Sequence, residues 1–230
     1  RARIRRYVNA GSSKAFDLLA KIGRDCVGAL QITPDDEATL DVRCIDGTPV
    51  THAEVEQILL KTSGSSAFGR LEEDDDFRIS LAGAQAKTAL LHVDEQWLRP
   101  HGATPTTHIL KLPIGKGPFG IDLSTSVENE WLCSEILQAY GFAAAKCEMA
   151  QFGGQKTLVV QRFDRRPARD GSWIVRLPQE DFCQATGTDW EQKYEADGGP
   201  GIEKIMGILL GADDPALNLL DFFRTQIMFW

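Results

Sequence analysis

The sequence predicts an α+β fold in which a mainly antiparallel sheet carries one packed helix and is followed by a helical segment. Three observations predict this fold. Short apolar or alternating stretches recur after residue 77, a single helical period interrupts them, and the pattern becomes helical after residue 182. The predicted strands of this sheet are Phe77–Leu81, Lys87–Val93, Thr107–Leu112, Cys147–Phe152, Thr157–Phe163 and Ser172–Leu177.

The helices are predicted from their end signals as well as their periodicity. Thr51 and Glu54 have the spacing of a capping box, which predicts a helix that runs to about Lys61. The helix that interrupts the strands covers about Ser126 to Tyr140, and Gly141 is well placed to end it. The other predicted elements are two short helices within Arg3–Ile22, a strand at Cys26–Ile32, and helices at Gly201–Leu210 and Leu217–Trp230.

The composition is that of a globular protein long enough for one large or two small domains. The chain has 230 residues, 43% of them apolar, and its formal net charge of −8 argues against a surface that coats nucleic acid. It contains no run of about 20 apolar residues and no hydrophobic signal region at its start. We therefore expect a soluble protein of the cytoplasm.

The cysteines and the chain ends give two further expectations. The five cysteines are widely scattered, without the close pairs typical of zinc sites, so we expect reduced thiols and no metal site in this chain. The first residue is not Met, and the apolar helical run at the other end has no stop signal after it. These features predict a piece of a longer protein.

A stretch of small residues lies between the first two predicted strands of the sheet. Ala82, Gly83 and Ala84 allow the backbone to approach a ligand closely, and the amide groups of such a loop can hold anionic oxygens. The stretch does not match the Walker pattern, and a small-residue turn between two strands is the alternative interpretation.

Lys111 and two glutamates are the charged candidates for the same site. Lys111 shares a strand face with the apolar Ile109, and a charge that faces partly inward needs a phosphate or a carboxylate as partner. The alternative is an ordinary surface lysine on an edge strand. Glu128 and Glu130 could orient Lys111, or they could simply favour the helix N-terminus through its dipole.

Five segments of the chain together resemble the HipA family, which consists of bacterial serine/threonine kinases that act as toxins of toxin–antitoxin pairs. The similarity runs from about Phe16 to the last residue. The segments that carry it are His108–Pro113, Val127–Trp131, Val160–Arg166, Ile174–Phe182 and Lys193–Gly201.

The resemblance implies a two-lobed fold like that of protein kinases, with the sheet and its helix in the nucleotide lobe. It divides the chain into residues 1–76, a remnant of an N-terminal subdomain that ends in an acidic linker, residues 77–182, the nucleotide-binding lobe up to its hinge, and residues 183–230, the start of a helical lobe. The acidic run Glu72–Asp76 is typical of such a linker.

The resemblance also implies the site residues. ATP, with Mg²⁺, would bind between the lobes, its phosphates at Lys111 and at the loop residues Ala82, Gly83, Ala84, Gln85, Ala86 and Lys87. Its adenine would meet the hinge residues Glu180, Asp181 and Phe182, and Ser80 matches a serine whose self-phosphorylation switches the kinase off. Gly115–Gly120 matches a flexible loop near the protein substrate. The catalytic and metal-binding residues of the family lie beyond the end of this chain, so none is predicted here.

The partners implied by the resemblance are a HipB-like DNA-binding antitoxin and a protein substrate in translation, such as an aminoacyl-tRNA synthetase. Phosphorylation of that substrate would arrest growth and produce persistence, and any DNA contact would be made mainly through the antitoxin. Two alternatives stay open. One is a non-catalytic kinase-like binding module or antitoxin component, and the other is a kinase of a sugar or another small molecule.

Overall fold

The computed structural model describes residues 11–12, 14–33, 41–63, 79–80, 85–116 and 120–229, with the backbone alone at residues 79, 80 and 190. The chain forms two compact units, Arg1–Pro178 and Gln179–Trp230. The first unit contains helices α1 (Ala15–Ile22), α2 (His52–Ser63) and α3 (Ser126–Ala139). Its strands are β1 (Asp25–Cys26), β2 (Gly47–Pro49), β3 (Ile79–Ser80), β4 (Lys87–Val93), β5 (Gln96–Pro100), β6 (His108–Lys111), β7 (Gly115–Lys116), β8 (Asp122–Leu123), β9 (Cys147–Phe152), β10 (Gln155–Gln161), β11 (Arg165–Pro167) and β12 (Ile174–Arg176).

Within the described residues, the main sheet has six strands in the order β2-β5-β4-β6-β10-β9, and every neighbouring pair is antiparallel. Two further antiparallel pairs, β7 with β8 and β11 with β12, lie outside this sheet, and β1 pairs in parallel with β3. The predicted α+β class with a mainly antiparallel sheet is confirmed.

The core of the first unit lies between α2 and one face of the main sheet. Val55 and Leu59 of the helix pack with Leu90, Leu110 and other strand residues of the same face. Leu59 and Leu110 are completely buried, and each such side chain contributes about 2–3 kcal/mol to stability. Because side chains alternate along a strand, the next residue after Leu110, Lys111, points to the opposite face.

The hairpin between β4 and β5 was missed by the sequence analysis. Its two turn residues, Asp94 and Glu95, both have positive φ, 50° and 60°. A two-residue hairpin turn needs this conformation, which Asn-Gly or Asp-Gly sequences adopt most readily. Asp-Glu carries neither signal, so the local sequence does not predict the turn or the strand after it.

The second unit is helical, as predicted. It contains α4 (Phe182–Thr186), α5 (Ile202–Leu209) and α6 (Pro215–Met228), with short 3₁₀ turns at Trp190–Gln192 and Glu195–Asp197. Helix α6 begins with Pro at its first position, and the Asp214 side chain accepts a hydrogen bond from the Leu217 amide (3.1 Å). Both features favour a helix start.

Several predicted segments can be compared with these bounds. The strands Lys87–Val93 and Cys147–Phe152 and the helix from Ser126 are as predicted, and Gly141 has a φ of 79° just after that helix. The predicted strand Cys26–Ile32 is wrong, because only Asp25–Cys26 is extended and Gly28 turns the chain with a φ of 72°. The predicted linker Glu72–Asp76 lies outside the described residues.

The division of the chain at residues 76 and 182 stays a prediction. The segment before residue 76 contributes β2 to the edge of the main sheet and α2 to its core. One core is therefore built from both sides of the predicted linker.

Candidate functional site

The candidate site begins with two lysines that lie opposite each other in the main sheet. In the antiparallel register, Lys87 of β4 is the direct partner of Lys111 of β6. Directly opposite residues share one face of the sheet, and like charges in this position repel each other. Burial, and next the charge of Lys111, lower the pKa of Lys87, while Glu130 acts in the opposite direction. The strand pairing thus brings two positive charges together on the face of the sheet opposite to α2.

Helix α3 brings a carboxylate to this point. Glu130 forms an ion pair with Lys111, whose side chain is 20% exposed. The first turn of α3 is held by Val127, which is completely buried, and by Ser126, whose hydroxyl accepts a hydrogen bond from the Ile114 amide (2.9 Å). The structure therefore brings together the predicted residues Lys111 and Glu130. The predicted orienting role of Glu130 stays a prediction.

A second lysine–glutamate pair beside the first was missed by the sequence analysis. Lys156 of β10 forms an ion pair with Glu128 of α3, and the hydrogen bond from Lys156 lowers the pKa of Glu128. The sequence already showed that Lys156, Leu158 and Val160 would share one face of a strand. The pairing of β10 with β6, which puts these residues on the face of Lys111, was not.

The predicted phosphate loop is described only in its second half. Ala82, Gly83 and Ala84 lie outside the described residues. The Gln85 side-chain amide donates a hydrogen bond to the Leu112 carbonyl (2.7 Å), and the Leu112 amide donates to the Ala86 carbonyl (3.1 Å). The segment that leads into Lys87 is thus fastened beside the end of β6. Its contact with phosphates stays a prediction.

Two other predicted elements of the first unit are partly described. Ser80 lies in β3, where it pairs with Cys26, and its side chain is outside the described part of the chain. Of the predicted substrate loop Gly115–Gly120, residues 115–116 form strand β7 and residues 117–119 are outside the description. The regulatory role of Ser80 stays a prediction.

In the second unit, the predicted hinge residues begin helix α4. The Asp181 carboxylate accepts a hydrogen bond from the Gln184 amide (2.8 Å), and the Gln184 side chain accepts one from the Asp181 amide (2.9 Å), which is a capping box. Phe182 packs against Phe222 with ring centroids 6.3 Å apart, and Glu180 is exposed. Their contact with adenine stays a prediction.

A buried network of five charged residues is built around the segment Val160–Arg166, for which the sequence predicted no role in a site. We call it the arginine network, and its members are Asp25, Arg162, Asp164, Arg165 and Arg176. Arg162 donates two hydrogen bonds to Asp164 (3.0 and 2.8 Å) and one to Asp25 (3.1 Å). Arg165 also contacts both carboxylates, each at 2.9 Å. None of the five side chains is more than 10% exposed.

Backbone groups complete the arginine network. The Cys26 carbonyl accepts hydrogen bonds from Arg162 (3.1 Å) and Arg165 (2.7 Å), and the Ala103 carbonyl accepts one from Arg176 (2.9 Å). The Gly28 amide donates to Asp164 (2.8 Å). These contacts join β1 and the residues after it to the turn that follows β10, and this turning path explains why no strand continues to Ile32.

An aromatic cluster lies on the core face of β6. The ring of His108 is 5.3 Å from that of His92 and 5.5 Å from that of Trp97, centroid to centroid. Burial, and next the charge of His92, lower the pKa of His108 to about 4. His108 and Leu110 of β6 therefore face the core, whereas Lys111 faces the candidate site.

Among the described residues, no group of three or more His, Cys, Asp or Glu side chains is arranged to hold a metal ion. A search of the same residues for a helix long and apolar enough to span a membrane found none.

Known proteins resemble the chain over nearly its whole length. It is 35% identical over 216 residues to "Putative kinase Y4mE" of Sinorhizobium fredii, covering 92% of this chain and 49% of that protein. It is 25% identical over 194 residues to the serine/threonine-protein kinase toxin HipA of Shewanella oneidensis, covering 84% of this chain and 42% of the toxin. The chain thus spans about half the length of these relatives.

A solved structure and a family model agree with these relatives. The HipA chain in the complex of Shewanella oneidensis HipA, HipB and operator DNA superposes with a TM-score of 0.70 at 23% identity, covering 96% of this chain and 51% of that one. The likeness shows that the two share a fold. The family model of the HipA-like C-terminal domain matches residues 79–230, and the chain belongs to that family.

Proposed function

We propose that this chain is the nucleotide-binding part of a HipA-type serine/threonine protein kinase. One observation carries the proposal: Lys87 and Lys111 face each other across two strands, and Lys111 is held by Glu130 of the packed helix. Phosphoryl transfer in protein kinases uses a strand lysine, paired with a helix glutamate, to contact the nucleotide phosphates. The family membership and the kinase names of the relatives support the same function.

The charge arrangement suits a triphosphate as ligand. Two neighbouring lysines repel each other in the sheet, and an anion between them would turn this repulsion into attraction. Phosphate oxygens accept charge-assisted hydrogen bonds, which are stronger than those between neutral groups. Each ammonium group has three donors, so Lys111 can contact Glu130 and a phosphate at the same time. ATP is the substrate, and it supplies the phosphoryl group that is transferred.

The remaining contacts of the nucleotide are proposed from the family resemblance. The phosphates would also contact Ala82–Lys87, and the base would contact Glu180, Asp181 and Phe182. Mg²⁺ would accompany ATP, but the described residues supply no ligand cluster for it, so we assign it no role at these side chains. Phosphorylation of Ser80 would switch the kinase off by adding negative charge beside a phosphate site.

The activity of the whole protein is proposed on the same grounds. It would phosphorylate a component of translation, such as an aminoacyl-tRNA synthetase, and so arrest growth and produce persistence. A HipB-like antitoxin would neutralise it and provide the main contact with DNA. The named HipA toxin and the solved HipA–HipB–operator complex support this proposal, and the net charge of −8 agrees with DNA contact through a partner.

Nucleotide binding can be tested on the full-length protein by calorimetric titration with the ATP analogue AMPPNP. Lys111→Ala should weaken binding about 10- to 100-fold, because it removes a charge-assisted hydrogen bond to a phosphate. Lys146→Ala, which removes a lysine just before β9, is the matched control and should bind as the wild type does. Equal affinities of the wild type and Lys111→Ala would remove Lys111 from the site.

Transfer itself needs a separate assay with radiolabelled ATP and candidate protein substrates. Incorporation of label into a serine or threonine of a translation protein would support the kinase. Nucleotide binding without transfer to any protein would instead favour a kinase-like binding module.

The proposed switch predicts an effect of charge at Ser80. Ser80→Asp should weaken AMPPNP binding through repulsion, whereas Ser80→Asn, of nearly the same shape without the charge, should not. Calorimetry on the two variants measures the difference. If both variants bind as the wild type does, charge at this position does not control the site.

A further inference from the structure

Two parallel lysine–glutamate bridges connect α3 to neighbouring strands of the sheet. Lys111 of β6 contacts Glu130, and Lys156 of β10 contacts Glu128. Leu158 is the direct partner of Lys111 across β6 and β10, and Lys156 lies two residues before it on the same strand face. The second bridge therefore lies beside the first, on the neighbouring strand β10.

Glu128 and Glu130 lie on opposite sides of Val127, the residue of α3 that faces the sheet. Successive helix residues turn by about 100°, so Glu128 and Glu130 project to either side of Val127. Val127 is completely buried, which fixes the side of α3 that meets the strands. A helix held by one glutamate alone could roll about its axis over Val127. A bridge on each side opposes this roll in both directions.

We infer that Lys156 is a positioning residue that, through Glu128, holds α3 in the rotation at which Glu130 meets Lys111. This inference rests on the proposed function, because its effect on a ligand depends on a nucleotide at Lys111. An ion pair that is about 40% exposed on each side, as Lys156–Glu128 is at 38% and 41%, contributes little by itself. Its importance comes from what it holds in place.

The Lys156–Glu128 bridge is also separate from the two lysines that face each other, Lys87 and Lys111. Lys111 must share its donors between Glu130 and an incoming phosphate, and Lys87 is next to it. Lys156 is outside the row of directly opposite residues formed by Lys87, Lys111 and Leu158, because it lies two positions before Leu158 on β10. The Lys156–Glu128 bridge can therefore persist while the contacts of Lys111 change.

The test is a double-mutant cycle in the full-length protein, read as AMPPNP affinity by calorimetry. Lys156→Met and Glu128→Gln should each weaken binding about threefold to fivefold, the size expected when an exposed ion pair is lost. Lys156→Arg, which keeps the charge, should restore the affinity. The matched controls are Lys146→Met, before β9, and Glu135→Gln, an exposed carboxylate of the same helix, and both should bind as the wild type does.

The coupling with Glu130 separates positioning from other roles. If Lys156 acts through Glu130, then Lys156→Met combined with Glu130→Gln should bind no more weakly than Glu130→Gln alone. Losses that add up in the double variant would overturn the inference. So would a loss in Lys156→Met that Glu128→Gln does not share, because Lys156 would then contact the nucleotide itself.

The proposed function and this inference fail in different ways. Wild-type protein that binds no AMPPNP would overturn the proposed function, and the inference with it. Wild-type binding that depends on Lys111 but is unchanged in Lys156→Met and Glu128→Gln would overturn the inference alone. Urea unfolding of each variant shows that the compared proteins are folded, and Glu128→Gln provides the test if Lys156→Met is not.

Discussion

The first unit contains two charged clusters, and each of them has three cations and two carboxylates. The arginine network is buried, and its guanidinium groups donate to both carboxylates and to backbone carbonyls. The lysine cluster, formed by Lys87, Lys111, Lys156, Glu128 and Glu130, is partly exposed, with both carboxylates at 41%. Two of its cations are direct neighbours across the sheet.

The same set of charges can serve stability in one cluster and suit a ligand in the other. Guanidinium groups are planar and present several fixed donors, so they can be matched to carboxylates and carbonyls inside a protein. The lysine cluster uses flexible ammonium groups near solvent, where charge–charge contacts are weak and can be exchanged for a ligand. Every charged side chain of the first cluster has a charged partner within the cluster. The second has an arrangement that an anion would improve.

The largest effect that would test this comparison is expected in the arginine network. Asp25→Asn removes one carboxylate that contacts Arg162, Arg165 and Arg176, and leaves buried positive charge uncompensated. We expect the free energy of unfolding to fall by about 3–5 kcal/mol. Urea denaturation measures it, with Glu148→Gln, at an exposed residue of β9, as a control that should change stability by less than about 0.5 kcal/mol. A loss below about 1 kcal/mol in Asp25→Asn would show that the network is not structural.

A smaller effect is expected on the core face of β6, opposite the lysine cluster. Burial lowers the pKa of His108 from 6.5, its value in the unfolded chain, to about 4 in the fold. The unfolded state therefore binds more protons between these values, and the free energy of unfolding should fall as the pH drops from 6.5 through 4. Because the ring is partly open to water, we expect a loss of about 1–2 kcal/mol.

His108→Phe should flatten this pH dependence while it keeps the aromatic packing. Urea denaturation at a series of pH values measures the slope. His101→Gln, a histidine outside the aromatic cluster, should keep the slope of the wild type. An unchanged slope in His108→Phe would assign the acid sensitivity to other groups.

The smallest effect has an unusual sign. Lys87→Met removes a half-buried charge and its repulsion with Lys111, so we expect the free energy of unfolding to stay constant or to rise by about 0.5 kcal/mol. The same variant should bind AMPPNP more weakly, because one cation of the proposed phosphate site is lost. A clear loss of stability, measured by urea denaturation, would show that Lys87 belongs with the structural charges rather than with the site.

The sequence predicts the elements whose signals are local. The strands Lys87–Val93 and Cys147–Phe152 and the helix from Ser126 follow from apolar pattern and end signals within each segment. Lys111 and Glu130 were named from their own strand and helix, and the structure joins them.

The elements that the sequence analysis missed depend on contacts between distant residues. Arg162 is separated from Asp25 by 137 positions, so no window of sequence shows their pairing. Lys87 was named as the last loop residue and as the first residue of a predicted strand, but its place opposite Lys111 follows from strand register. Lys156 was missed for the same reason, since its face of the sheet is decided by the pairing of β10 with β6.

The adjacency of Leu110 and Lys111 in β6 restricts the insertions and deletions that this strand can accept during evolution. A one-residue insertion or deletion inside this strand would exchange the two faces, sending the lysine into the apolar core and the leucine towards the candidate site. Stability and the proposed nucleotide binding would then be lost in a single event. Length variation among homologues should therefore be confined to the connections at either end of this strand.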